Sequence, residues 1–349
     1  MKPLHIHYIM PQGIGDDVMT IPVILEIREN KNVQLSISVK SEIEATVIRE
    51  LCPDINIVFI NLQDIMSRSN SLIAFFKLVK RIRKLSPDII LTQFNVGAAK
   101  SSITSFLSGV KLRVGWKGPF SFLNTLTLTP SGQHKIAENL KSLKILNIDL
   151  KNNKIKYPLF QSNKSSSINS QLDSVLESNL TNIAISPGSQ EFDSHKRWPK
   201  LNYIKLINKI TANNKNIMVA LIGNDGEKEL CEEILQAVDK KENLTNLSGK
   251  TSIPELLYFL SKVDLTITNC NGISHLACAA NSPIISLYGP TNYKVTGPIS
   301  NTFIPITAGL DCSPCYRRDY RFGCGDPVCM DKIDVDEVYQ TILKIIKKF

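Results

Sequence analysis

The densest set of reactive residue types lies between Val263 and Thr291, in the run Asn269-Cys270-Asn271-Gly272-Ile273-Ser274-His275. A short β-branched run at Leu265 and Ile267 precedes it, Ile273 to Ala280 has helical character, and Ile284 to Tyr288 reads as a second buried strand. Such a β-α-β unit aims a helix N-terminus at the carboxyl edge of a parallel sheet. Free backbone N–H groups and the helix dipole favour an anion there, and a diphosphate fits. Gly272 permits close backbone approach, and Ser274 and His275 are expected to donate to phosphate oxygens. The plainer alternative is that Gly272 makes a turn and His275 caps or packs.

Two further groups stand out. Asp16 and Asp17 follow Gly13-Ile14-Gly15 at a strand-to-helix corner, where a carboxylate serves either as a base or as a helix N-cap. The glycine pattern lacks its third glycine and no suitable acid ends the next strand, which argues against a dinucleotide loop. Cys312, Cys315, Cys324 and Cys329 are spaced to place four thiolates around one tetrahedral metal, zinc being the generic expectation. All four ligand positions would be filled, so the site would be structural. Free buried cysteines are the alternative.

Strand-like runs at 5–10, 33–39, 55–60 and 88–92 alternate with helical stretches at 18–29, 43–51 and 72–85, the pattern of a parallel, doubly wound sheet. A second such unit starts at Asn182-Ile183-Ala184-Ile185-Ser186 and continues through Pro187-Gly188-Ser189, Lys196-Arg197-Trp198-Pro199 and the strand 218–222. The Ser-, Asn- and Gln-rich segment between them reads as a linker. The expected organisation is therefore 1–165 for a first domain, 166–180 for the linker, 181–335 for a second domain containing the cysteine group at 312–329, and 336–349 for a terminal helix.

A chain of 349 residues suffices for two cores. It has no apolar run of roughly 18–20 residues, and its first residues lack a signal-peptide pattern, so a cytoplasmic protein is expected. Eight cysteines in that setting argue against a disulfide framework. The net charge of +9 is uneven: residues 1–165 carry 22 Lys and Arg against 12 Asp and Glu. Lys77, Lys80, Arg81, Arg83 and Lys84 share one expected helix, a basic face suited to a phosphorylated lipid or membrane surface. Aromatics are not interleaved with these clusters, so nucleic acid is not an expected partner.

Taken in order, Gly15-Asp16-Asp17-Val18-Met19-Thr20-Ile21-Pro22, Pro187-Gly188-Ser189, Lys196-Arg197-Trp198-Pro199, Gly223 before a Glu-bearing helix, Gly272-Ile273-Ser274-His275-Leu276-Ala277 and Tyr288-Gly289-Pro290-Thr291 resemble the ADP-heptose:lipopolysaccharide heptosyltransferases, glycosyltransferase family 9. The resemblance implies a GT-B fold, two Rossmann-like domains facing across a cleft, and an inverting transfer without a catalytic metal. It implies Asp16 as general base, with Asp17 one residue too late. It implies a donor site of Lys196, Ser189, Glu227, Asn271, Gly272, Ile273, Ser274 and His275. It also implies ADP-heptose as donor, with a lipopolysaccharide core, a lipid-linked glycan or a protein as acceptor, at the inner face of the inner membrane. In that fold the terminal helix commonly crosses back to the first domain, and cysteine-rich tails in some similar enzymes are associated with iron.

One residue departs from the family pattern. Cys270 stands where the family usually has aspartate, and a thiol is a poor acceptor of sugar hydroxyl hydrogen bonds, so the donor sugar is open. The rival readings are another nucleotide-sugar, a nucleotide-sugar epimerase, or a basic, metal-knuckled binding protein that is not an enzyme.

Overall fold

The computed structural model describes residues 3–10, 13–29, 32–53, 57–66, 71–146, 157, 159–161, 172–176, 179–213, 216–315 and 328–346. The chain divides into two units, Met1–Pro158 and Leu159–Phe349. In the first, strands β1 (Leu4–Met10), β2 (Val33–Val39), β3 (Ile57–Asn61), β4 (Ile89–Thr92), β5 (Leu112–Trp116) and β6 (Leu126–Leu128) form one parallel sheet. Their order is β3-β2-β1-β4-β5-β6, so the strand order reverses between β1 and β4. Helices α1 (Ile14–Val18), α2 (Ile21–Arg28), α3 (Glu42–Leu51), α4 (Leu62–Met66), α5 (Ser71–Leu85), α6 (Ala98–Leu107) and α7 (Lys135–Lys144) make the connections.

Burial on both faces explains the near-continuous apolar strands, with one exception. The β1 sequence Leu-His-Ile-His-Tyr-Ile-Met puts two histidines at alternate positions, and β1 pairs with β2 so that His7 lies opposite Ser36. His5 Nε2 and His7 Nδ1 share the Ser36 hydroxyl at 2.9 and 2.8 Å, and His7 Nε2 meets Ser38 Oγ at 2.9 Å. Burial, helped by His5, pushes His7 down to about 3, so His7 is neutral at physiological pH.

The second unit repeats the topology. Strands β7 (Thr181–Ser186), β8 (Ile217–Leu221), β9 (Leu244–Asn246), β10 (Leu265–Asn269), β11 (Ile284–Tyr288) and β12 (Phe303–Thr307) form a parallel sheet in the order β12-β11-β10-β7-β8-β9. Its helices are α8 (Lys200–Asn213), α9 (Lys228–Ala237), α10 (Ile253–Leu260), α11 (Gly272–Ala279), α12 (Tyr293–Thr296), α13 (Val328–Asp331) and α14 (Val335–Ile346). Ile183, Ile185, Trp198, Tyr203, Leu265 and Ile267 centre the core. This is the strand order of the Rossmann fold, in which ligands sit at the carboxyl edge where the order reverses.

The sequence also reads as a short strand at 110–115, found as β5, followed by an irregular Phe-rich passage over about 118–129; the structure adds three strands to that reading, β6 inside this passage, and β9 and β12. Each lies at a sheet edge. Within 166–180, Leu172 is buried and Asp173 accepts a 2.7 Å bond from Tyr258 Oη, which ties that part of the expected linker to the second unit. Helix α14 packs against α8 through Val338, Tyr339 and Ile342, with Lys209 and Asp336 paired across the seam. Residues 347–349 of the terminal helix, and Cys324, lie outside the described residues.

Candidate functional site

At the switch point of the second sheet, β10 pairs with β7 so that Thr268 lies opposite Ser186. The turns that follow the two strands are therefore neighbours. Asn269, fully buried at the end of β10, joins them. Its Nδ2 donates to Pro187 O at 2.8 Å and Gly188 O at 3.2 Å, while its Oδ1 accepts from Trp198 N at 3.0 Å and Tyr203 Oη at 2.9 Å. Asn271 adds a second tie. Its Nδ2 donates to Gly188 O at 3.0 Å, and its Oδ1 caps α11 by accepting from Ile273 N at 2.9 Å. The helix start and the Pro187–Ser189 turn are thus held as one cradle.

Glycine is required beside it. A Cβ on Gly188 would lie 2.1 Å from Glu227 Oε1, and one on Gly223 would lie 2.8 Å from Oε2. The Glu227 carboxylate rests over both glycines and accepts from Asn224 N at 2.8 Å. Burial raises its pKa above the usual carboxylate range, against the opposing pull of the Asn224 N–H and the Arg197 charge. Ser189 is buried, receiving Arg197 Nε on its hydroxyl at 3.1 Å and Arg197 Nη2 on its carbonyl at 2.5 Å. Lys196 is nearly buried, and its Nζ donates to Asp193 Oδ2 at 2.8 Å.

The expected donor residues divide by accessibility. Cys270, Asn271, Gly272 and Ile273 are partly exposed at the turn. Ser274 is fully buried, and its hydroxyl donates to Asn271 O at 2.8 Å inside the helix start; His275 is also buried. Asn269 and Asp193 were not singled out from the sequence. An Asn at a strand end, and an acid three residues before Lys196, were the available signals.

At the corresponding edge of the first sheet, α1 follows β1 in the chain and carries both acids, which part company. The side chain of Asp16 is 25% exposed, and its Oδ1 accepts from Lys135 Nζ, on the first residue of α7, at 2.5 Å. Asp17 is 0% exposed. Glu138 orders the approach to α7 by accepting from Ser131 N at 2.8 Å and Gln133 N at 3.2 Å, and this fixes the root of Lys135. Beneath lies a buried amide pair. Gln93 Nε2 donates to Asp16 O at 2.9 Å and Thr20 Oγ1 at 2.7 Å, and Asn139 Nδ2 donates to Thr20 Oγ1 at 3.1 Å. None of Lys135, Gln93 and Asn139 was singled out from the sequence, because their roles depend on contacts more than seventy residues away in the chain.

Burial raises the Asp17 carboxyl well above its usual range, with Glu44 and Asp16 adding to the rise and a 3.4 Å bond from Gln93 opposing it. The folded chain therefore keeps a proton there that the unfolded chain has released. Stability falls as pH rises from the ordinary carboxylate value, about 4, toward the raised one. In thermal melts from acid to mildly alkaline pH, Asp17→Asn is expected to flatten that fall and to gain on the wild type at the upper end. Parallel curves would show that Asp17 folds already ionised.

The cysteines expected to hold metal are seen in part. Cys315 N donates to Pro290 O at 3.0 Å and Ser313 Oγ to Gly289 O at 2.5 Å, and a Cβ on Gly289 would lie 2.7 Å from Cys329 Sγ. The Cys312–Cys315 segment and Cys329 thus meet around Gly289-Pro290. Burial, and then the neighbouring Cys315 and Cys312, raise the Cys329 thiol above its usual pKa. Among the described residues no three donors are arranged to hold an ion. Also among them, no helix is long and apolar enough to cross a membrane.

A family model described as Glycosyltransferase family 9 (heptosyltransferase) matches residues 75–325, a span that enters both units. Lipooligosaccharide heptosyltransferase 2 of Haemophilus influenzae is 37% identical over 36% of this chain and 37% of that protein. Lipopolysaccharide heptosyltransferase 3 of Escherichia coli is 24% identical over 94% of this chain and 92% of that protein. The matches to the first three curated relatives take in 37%, 60% and 37% of their lengths. The solved structure of E. coli ADP-heptose lps heptosyltransferase II is similar at a TM-score of 0.75, covering 99% of each chain at 21% identity. That likeness is one of fold: Rossmann-like parallel-sheet units of the GT-B type.

Proposed function

The chain belongs to glycosyltransferase family 9, and from that membership and the site geometry we propose that it is an inverting glycosyltransferase moving heptose from ADP-heptose to a lipopolysaccharide core or related glycan. The observation that carries the reading is the cradle at the β7–β10 switch point, where Gly188, Gly272 and the capped start of α11 are joined and where Ser189 Oγ, next in the turn, bonds to the backbone of Asp193, whose carboxylate holds the near-buried Lys196. The names of the relatives supply the sugar and the acceptor.

In this reading the second unit binds the donor. The N–H groups at Gly272 and Ile273 and the Lys196 ammonium offset the charge that develops on the departing ADP. Lys196 is held in place by Asp193 until the diphosphate takes over part of its bonding. Glu227, poised over Gly188 and Gly223, accepts from ribose hydroxyls. Asn271 and Ser189 shape the turn, and the buried Ser274 and His275 support the helix start from within. The first unit supplies Asp16, which takes the proton of the acceptor hydroxyl as the sugar is displaced from the opposite face. Charge stabilisation by Lys196 and the helix N-terminus serves this displacement without a catalytic metal.

Family membership does not favour the epimerase or the non-enzyme binding reading. Cys270 favours one variation, a different sugar on the nucleotide, because a partly exposed thiol replaces a carboxylate at the cradle. The test is a panel of nucleotide-sugars with purified protein and core, lipid-linked and protein acceptors. Consumption of ADP-heptose with transfer to a core acceptor supports the reading. Consumption of another donor only, with the preference moved toward heptose by Cys270→Asp, assigns the specificity to that thiol. A protein that binds no nucleotide-sugar overturns the proposal. The working location proposed is the cytoplasmic face of the inner membrane.

The four cysteines are proposed to bind one structural zinc or iron, held by Cys312, Cys315, Cys324 and Cys329 and apart from the transfer chemistry. Elemental analysis of the purified protein should give about one such ion per chain, as expected for one closed four-thiolate site. Cys315→Ser should lose it and expose the three remaining thiols to titration. Metal-free protein with four freely titrating thiols at these positions would overturn the assignment.

A further inference from the structure

Helix α5 presents an outward face whose composition is unusual. Its inward residues Ala74 and Ile82 belong to a core cluster, with Leu78 and Leu85 packed against it, and Val79 is also buried. The opposite face carries Leu72, Ile73 and Phe76, exposed at 72%, 50% and 61%. Positions 72, 76, 80 and 83–84 follow one another at helical spacing, so the same face continues into Lys80, Arg83 and Lys84, flanked by Lys77 and Arg81. Residues 71–85 contain five basic residues and no acid. Among the described residues no carboxylate pairs with Lys77, Lys80, Arg81 or Lys84, and Arg83 is turned to Leu107 O at 2.9 Å.

An apolar first two turns followed by unpaired cations matches a bilayer interface, where apolar side chains enter the acyl boundary and long basic chains reach the headgroups. A soluble acidic partner or a nucleic acid backbone would complement the cations without accounting for the exposed aliphatic side chains of Leu72 and Ile73 beside Phe76. The strands are parallel and α5 runs from the end of β3 back to the start of β4, so its apolar end lies at the carboxyl edge of the sheet, the edge that also bears Asp16. We propose that the outward face of α5 docks the first unit onto an anionic membrane surface, with Leu72, Ile73 and Phe76 inserted and Lys77, Lys80, Arg81 and Lys84 against the headgroups. This deepens the glycosyltransferase reading, since a lipid-anchored acceptor is presented at such a surface, but its test does not use sugar transfer.

The full chain is sedimented with vesicles of phosphatidylcholine alone and of phosphatidylcholine with phosphatidylglycerol. Binding is expected to the anionic vesicles and to weaken as salt is raised. Each cation near such a surface is worth about fivefold in affinity. Lys80→Ala with Lys84→Ala is therefore expected to lower binding on the order of twentyfold. Leu72→Ser with Phe76→Ser is expected to lower it at least about tenfold, through lost apolar insertion. All four side chains are outside the core, so thermal melts should match the wild type, and donor hydrolysis should be unchanged. No binding to anionic vesicles, or equal binding by both variants, overturns the proposal. So does a wild-type dimer in light scattering that Leu72→Ser with Phe76→Ser dissolves, since a second copy would then cover the face. Should vesicle binding behave as expected while no donor is consumed, the docking surface stands and the proposed transfer falls.

Discussion

Asp16→Asn is expected to reduce the proposed sugar transfer by about 10²–10⁴-fold, the range a positioned general base supplies, and to leave donor affinity unchanged. The amide keeps the shape of the carboxylate and removes its proton affinity. The residue lies in the first unit, whereas the proposed donor groups, from Gly188 to His275, all belong to the second. A loss confined to turnover, read by isothermal titration of ADP beside initial rates of transfer, is thus the signature of a base. Lys135 offers a finer control. Its Nζ lies 2.5 Å from Asp16 Oδ1 and is fixed at the root of α7. Lys135→Met releases the carboxylate without removing it, and transfer should fall by less than in Asp16→Asn. Equal transfer by Asp16→Asn and wild type would remove Asp16 from the chemistry. A parallel loss of ADP affinity would make it a structural residue.

How far these residues could be found beforehand follows from where their partners lie. The unit from Leu265 to Tyr288 was legible because a β-branched run, an Asn-Gly turn and an apolar helix succeed each other locally. Three of the four edge strands were not. Phe303–Thr307 contains Pro305, tolerated at an edge where, among the described residues, no strand pairs beyond β12, and Leu126–Leu128 and Leu244–Asn246 are only three residues long, with polar residues in both. The acids at 16 and 17 were legible as a pair, and their unequal exposure was not, since Asp17 is covered by side chains from other elements, including Gln93 and Glu44. Lys196 was visible through its motif, while the Asp193 that holds it reads in sequence as a surface acid. The outward face of α5 was legible as basic, but the exposure of Leu72, Ile73 and Phe76 required knowing which side of the helix the core covers.

Asn269→Ala produces the largest stability loss expected in the molecule. Trp198 N–H, Tyr203 Oη and Pro187 O each lose their partner inside the core, whereas Gly188 O keeps Asn271 Nδ2 at 3.0 Å. A buried polar group left unpaired costs about 1–3 kcal/mol. Three such groups give roughly 3–6 kcal/mol after partial relaxation, against a typical total of about 5–15 kcal/mol. Asn269→Asp should do no better, because an oxygen would replace the Nδ2 that faces Pro187 O and Gly188 O, and a charge would be buried. The measurement is urea unfolding followed by tryptophan fluorescence in a Trp116→Phe background, so that Trp198, buried beside Asn269, reports on the second unit alone. Asn271→Ala serves as the comparison. It removes a cap worth about 1 kcal/mol from a partly exposed turn, and its midpoint should move far less. If both variants unfold at the same urea concentration as wild type, Asn269 does not hold the cradle together. If Asn269→Ala alone collapses, the turn at Pro187–Ser189 and the start of α11 are set by a side chain that touches neither phosphate nor sugar. The donor site of this fold is then built from the core outward.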